Sequence, residues 1–116
     1  MNKSDILNMN AGKEMDALVA IRVMHFKQLP VNFSPSTDFN DAWEALETIR
    51  EKQIPVQIRG DEWYDGGGWI VEIMDVLGTK VEHSCYIESR YNEVLKGWER
   101  PDIRLAICKA TLLTTI

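Results

Sequence analysis

The segment Pro101–Leu113, PDIRLAICKATLL, constrains the fold of this chain more than any other. At helical spacing Ile103, Ala106, Ile107, Ala110 and Leu113 line one face. Leu105, Cys108 and Leu112 carry apolar surface round the side, so Arg104 and Lys109 are the positions expected to need water. Pro101 suits a first helical turn, where its missing N–H costs nothing. A helix with so little polar surface must be covered on most of its circumference. The remainder of the 116-residue chain has to supply that cover, and a chain of this length forms one domain, 1–116.

Upstream, residues 1–10 read as a polar lead-in. From Ala11 to Met24, AGKEMDALVAIRVM places Met15, Leu18, Val19 and Arg22 on one face of an amphipathic helix, with Val23 beside it. His25–Pro35 holds two prolines and reads as a connector, with Phe26, Leu29, Val31 and Phe33 available to the core. Thr37 or Asp38 can cap the next helix through a side-chain oxygen. Its body, FNDAWEALETIREK, sets Phe39, Ala42, Trp43, Leu46 and Ile49 on one stripe, which makes Trp43 a core anchor.

After Lys52 the period changes to two. Ile54, Val56 and Ile58 alternate with Pro55 and Gln57, and the proline points to an edge or a strand start. Gly60–Gly68 reads as a loop, Trp69–Leu77 as a second strand, and Lys80–Ser89 as a third after a two-residue Gly78-Thr79 turn. In the third strand Val81, His83, Cys85 and Ile87 face one way, and Glu82, Ser84, Tyr86 and Glu88 the other. Ser89–Arg100 reads as a polar loop into the last helix. The order is helix, helix, three antiparallel strands, helix, which is α+β. Apolar residues on both faces of the second strand, Ile70 and Met74 against Val71 and Ile73, imply a three-layer α/β/α sandwich with three helices.

Four stretches together carry a resemblance: AGKEMDALVAIRVM, STDFNDAWEALETIR, the Gly-Trp strand and the closing LAICKATLL. The chain resembles the phage ABA sandwich domain family, small proteins of tailed phages and prophages, from Ala11 to Leu113. The resemblance implies a helix–sheet–helix sandwich and a phage origin, and it implies no particular reaction.

Composition narrows the function. Thirteen Lys and Arg are scattered among eighteen Asp and Glu, for a net charge of −5, which argues against nucleic acid as a partner. No run approaches the ~20 apolar residues of a membrane span. The N-terminus lacks the apolar core of a signal peptide, which points to the cytosol, here that of an infected bacterial host. Cys85 and Cys108 lie in separate apolar runs and read as buried free thiols.

A catalytic set is not apparent. His83 and Cys85 share a strand face, but a buried cysteine beside a satisfied histidine is the simpler reading. Asp61, Glu62, Asp65 and His25 lack a convergent metal-ligand pattern, so no metal, cofactor or catalytic residue is assigned. The run Asp65-Gly66-Gly67-Gly68 offers free N–H groups to an anion but no Lys-Ser/Thr pair, and its neighbouring acids repel phosphate.

The aromatic residues are more informative. Trp63, Tyr64, Tyr91 and Trp98 fall in the loops, beside Arg59 and Arg90. Such rings close over the core, pack against a second subunit or stack on a flat ligand, and arginine with aromatics grips a base plus phosphate. The candidate ligand-binding residues are therefore Arg59, Trp63, Tyr64, Arg90, Tyr91 and Trp98. With the phage resemblance, they give the expectation of a non-enzymatic protein, homo-oligomeric, that sequesters a nucleotide-derived signal of bacterial defence, such as a cyclic ADP-ribose-type molecule. The alternative is a protein–protein module that inhibits a host protein or serves phage assembly.

Overall fold

The computed structural model describes residues 1–28, 30, 32–61, 68–75, 77–88, 90–92, 97–99 and 102–116. The fold is α+β. Its helices are α1 (Lys3–Leu7), α2 (Lys13–Leu18, continued by a wider π turn over Val19–Val23), α3 (Phe39–Glu51) and α4 (Ile103–Leu113). Its strands are β1 (Val56–Asp61), β2 (Gly68–Met74), β3 (Val81–Glu88), β4 (Arg90–Asn92) and β5 (Gly97–Glu99).

The C-terminal helix is the centre of the molecule. All residues from Ala106 to Leu113 are buried, and α4 packs on β2 and β3 as well as on α1, the π turn and α3. Its first turn is capped by Asp102, whose carboxylate accepts the Arg104 N–H at 3.0 Å. Two polar side chains survive on the buried surface because each finds a backbone acceptor. The Thr111 hydroxyl lies 3.0 Å from each of the Ile107 and Cys108 carbonyl oxygens of its own helix. Lys109, expected to need water, is instead buried, and its Nζ donates to the Leu7 carbonyl oxygen at 2.6 Å.

That acceptor belongs to a helix where a polar lead-in was expected. Asn2 Oδ1 accepts the Asp5 N–H and Asp5 Oδ2 accepts the Asn2 N–H, both at 2.9 Å, a reciprocal cap that starts α1. Ile6 projects from it into the core and is fully buried. Among the described residues the helix count is thus four rather than three.

In α3 the cap is Asp38, which accepts the Asp41 N–H at 3.1 Å. Its buried face is Ala42, Ala45, Leu46 and Ile49. Trp43 is not the core anchor that its spacing predicts: it is 39% exposed and stacks on Phe39 with ring centroids 6.0 Å apart. The face that packs contains the small Ala42 and Ala45, so the two large rings sit at its shoulder. In the connector, Phe26 and Phe33 meet edge to face at 5.4 Å, while Leu29 and Val31 lie outside the described residues. Ser36 ties this segment to α2, donating its N–H to Asp16 at 2.8 Å and accepting the Gly12 N–H at 3.0 Å.

The three-stranded sheet is antiparallel in the order β1-β2-β3, and β1 is an edge strand that starts just after Pro55, as the proline implies. Cross-strand rows Ile58–Val71–Cys85 and Val56–Ile73–His83 form the inner face. Gln57–Glu72–Ser84 and Arg59–Ile70–Tyr86 form the outer face. The alternation expected along the third strand holds from His83 to Tyr86 but breaks before it. Ile73 pairs with His83 and Met74 with Val81, so Glu82 is an extra residue and Val81 is exposed. The turn between β2 and β3 is also wider than two residues: Asp75 N–H donates to the Lys80 carbonyl, and the Asp75 carboxylate accepts from the Thr79 N–H and hydroxyl. Gly78, at φ 71°, supplies the left-handed residue that this turn needs. Within the expected polar loop 89–100, β4 and β5 form a hairpin, with Tyr91 opposite Trp98.

Candidate functional site

Arg59 projects from the outer face of β1, in the same row as Ile70 and Tyr86. Its Nε lies 2.6 Å from Glu72 Oε1, two residues along β2 from its direct partner Ile70. The two partners differ in setting: the Arg59 side chain is 60% exposed and that of Glu72 12% exposed. The guanidinium therefore acts as a solvent-facing lid on a mostly buried carboxylate. Among the described residues Glu72 is the one partner of the guanidinium, whose fork carries further N–H donors able to meet an anion or ring.

Gly60 follows on β1 and meets Trp69 of β2 across the ladder. A Cβ at Gly60 would lie 3.3 Å from the indole, so glycine here allows Trp69 to lie against the β1 backbone. The register then reaches Asp61 opposite Gly68 and Gly68 opposite Glu88. The end of β1, the start of β2 and the end of β3 thus lie side by side at one end of the sheet.

Of the six residues expected to bind ligand, Arg59 is described with its side chain. Arg90, Tyr91 and Trp98 are placed by backbone in β4 and β5, and Trp63 and Tyr64 lie outside the described residues. Of Asp65-Gly66-Gly67-Gly68, Gly68 opens β2 and the rest lie outside the described residues too. Tyr86 was not singled out from the sequence. It shares the row of Arg59 and is 47% exposed. Its strand position facing away from Cys85 was the signal that could have marked it.

The inner face offers different chemistry. Cys85 is buried, and burial pushes its thiol upward, against a smaller opposing effect of Lys109. Cys108 is driven well above the ordinary thiol value of 9.0, chiefly by burial and further by the charges of Asp16 and Asp102. Both cysteines are free. His83 and Cys85 share a face without a hydrogen bond between them among the described residues, and a thiol held protonated is a poor nucleophile. Among the described residues no group of three or more His, Cys, Asp or Glu gathers to hold a metal ion, and no helix is long and apolar enough to cross a membrane.

No family model, curated protein or solved structure matches this chain.

Proposed function

We propose that this chain is a non-enzymatic phage accessory protein that captures a small nucleotide-derived signal of bacterial defence, such as a cyclic ADP-ribose-type molecule, in the cytosol of the infected host. The observation that supports this reading most is the register Asp61–Gly68–Glu88 at one end of the sheet. The segment that carries Trp63 and Tyr64 departs from and returns to that end, and β4, with Arg90 and Tyr91, begins two residues beyond Glu88. In this reading the rings stack on the base while Arg59 and Arg90 grip the phosphates. The α/β/α layering, argued from the apolar residues on both faces of β2 and implied by the resemblance, and the phage origin, which rests on the resemblance, belong to the same proposal.

The test is thermal unfolding with a panel of linear and cyclic nucleotides. A ligand that binds only the folded state raises the midpoint as its concentration exceeds Kd. The reading expects one nucleotide to do so, and Arg59→Ala combined with Trp63→Ala to abolish the effect. A panel without any shift contradicts it.

A second reading, a protein–protein module that acts on a host protein or in phage assembly, is favoured by the exposed Phe39–Trp43 stack on α3. The same surface is a candidate contact for a homo-oligomer. A complex lost on Trp43→Ala, in a protein indifferent to nucleotides, supports this reading over the first.

A further inference from the structure

Three helix ends meet at a corner formed by the α2 π turn, α3 and α4. Between them lies a cleft of about 480 Å³ lined by Arg22, His25, Lys52, Thr114 and Thr115, with Ile49 among its apolar walls. Among the described residues no Asp or Glu lines it. In a chain of net charge −5 this is a local concentration of positive charge.

Basic residues at helix C-termini ordinarily serve the helices' own carbonyl groups. Here two carbonyls at each of the three ends are already occupied by their own chain. Val19 and Ala20 oxygens accept from the N–H groups of Met24 and Phe26, at 3.0 and 2.9 Å. Ile49 and Arg50 oxygens accept from Lys52 and Gln53, at 3.1 and 2.8 Å. At the end of α4, Thr111 and Leu112 oxygens accept from the N–H groups and also the hydroxyls of Thr114 and Thr115, the hydroxyls at 2.6 and 2.7 Å. Neither Arg22 nor Lys52 is held in an ion pair among the described residues. The three helix ends carry about −0.5 charge each, roughly −1.5 together, which the two full cations exceed.

His25 adds a third element. Its φ of 58° is the left-handed conformation that glycine adopts without strain at a helix end. The chain keeps an imidazole there instead, and it lines the cleft. An imidazole offers an N–H donor in either protonation state.

We infer that this cleft binds a small phosphorylated metabolite, its phosphate held between Arg22 and Lys52 with His25 as a further donor. The volume lies within the ~300–1,000 Å³ range of small-molecule sites and exceeds what a bare phosphate ion fills. The organic part of the ligand then rests against Val23 and Ile49, which line the same cleft. The inference uses none of the residues of the sheet-end site and stands independently of it.

The experiment is an amide NMR titration of the full chain with AMP, glycerol 3-phosphate and inorganic phosphate, with adenosine and matched potassium chloride as controls. The phosphate esters are expected to give saturable shifts at Arg22, His25, Lys52 and Thr115, and adenosine none. Lys52→Glu and Arg22→Gln should each weaken binding about tenfold, with circular dichroism unchanged. Arg59→Ala should leave it unaltered. Shifts that only follow ionic strength, affinity unchanged in both folded variants, or saturable shifts confined to the sheet end would overturn the inference. Loss of nucleotide binding on Arg59→Ala reports on the sheet-end site separately.

Discussion

The Nζ of Lys109 donates to the carbonyl oxygen of Leu7 across 2.6 Å, and so ties the middle of the central helix to the end of the first. A lysine in a buried stripe is expensive unless its ammonium is hydrogen-bonded. Here it closes an orphan carbonyl at the C-terminus of α1, where a positive charge is also favoured by the helix dipole.

Lys109→Met keeps the apolar stem and removes the donor. It should destabilise the fold by about 1–3 kcal/mol, because the Leu7 oxygen loses its partner. Urea unfolding measures the loss, and hydrogen exchange should quicken first in α1. An unchanged midpoint would mean that the contact contributes nothing.

The two stripes of α3 make opposite predictions. Leu46 is fully buried, so Leu46→Ala should cost about 2–5 kcal/mol. Trp43 sits at the shoulder, and Trp43→Ala should cost less than half as much despite its larger side chain. Equal losses in denaturant unfolding would return Trp43 to the core.

Asp38→Ala removes the oxygen that accepts the Asp41 N–H at the start of α3. The expected loss is about 0.5–2 kcal/mol, read by thermal or chemical unfolding, and Asp38→Asn should restore most of it.

The thiols of Cys85 and Cys108 are raised above the ordinary value of 9.0 in the folded state. The folded protein therefore holds protons that the unfolded chain releases at alkaline pH. The resulting stability is fully present below pH 9 and is lost as pH rises above the unfolded thiol value. Unfolding midpoints should fall between pH 8 and pH 10.5, and fall less in Cys108→Ala. Both thiols should also resist a thiol reagent at pH 8 until the protein unfolds. Rapid native labelling would contradict their burial.

How far the sequence revealed the fold differs element by element. The central helix was legible because its apolar residues leave almost no polar face. The start of α3, with Thr37 or Asp38 as its cap, and Pro55 as the mark of an edge or a strand start followed from single residues with specific backbone roles; the structure chooses Asp38. The phase of α3 was misread because Phe39, Trp43 and Ala45 compete for one stripe, and hydrophobicity alone favours the large rings over the small residue that packs. Helix α1 was hidden because it buries one fully apolar side chain, Ile6, in a polar run. Glu82 resets the alternation of β3 through a bulge that periodicity cannot foresee. Of the candidate site, Arg59 was legible as a cation beside an aromatic loop. Its hold on Glu72 was not, because the pair is set by the β1–β2 register.

The most direct test of the binding account is native mass spectrometry of the protein purified from phage-infected or defence-expressing cells. The account predicts a retained mass of nucleotide size on the folded protein, lost in a variant carrying Arg59→Ala and Arg90→Ala. A protein that emerges bare and takes up no member of an added nucleotide panel would contradict it, and would leave the aromatic segments to a protein interface.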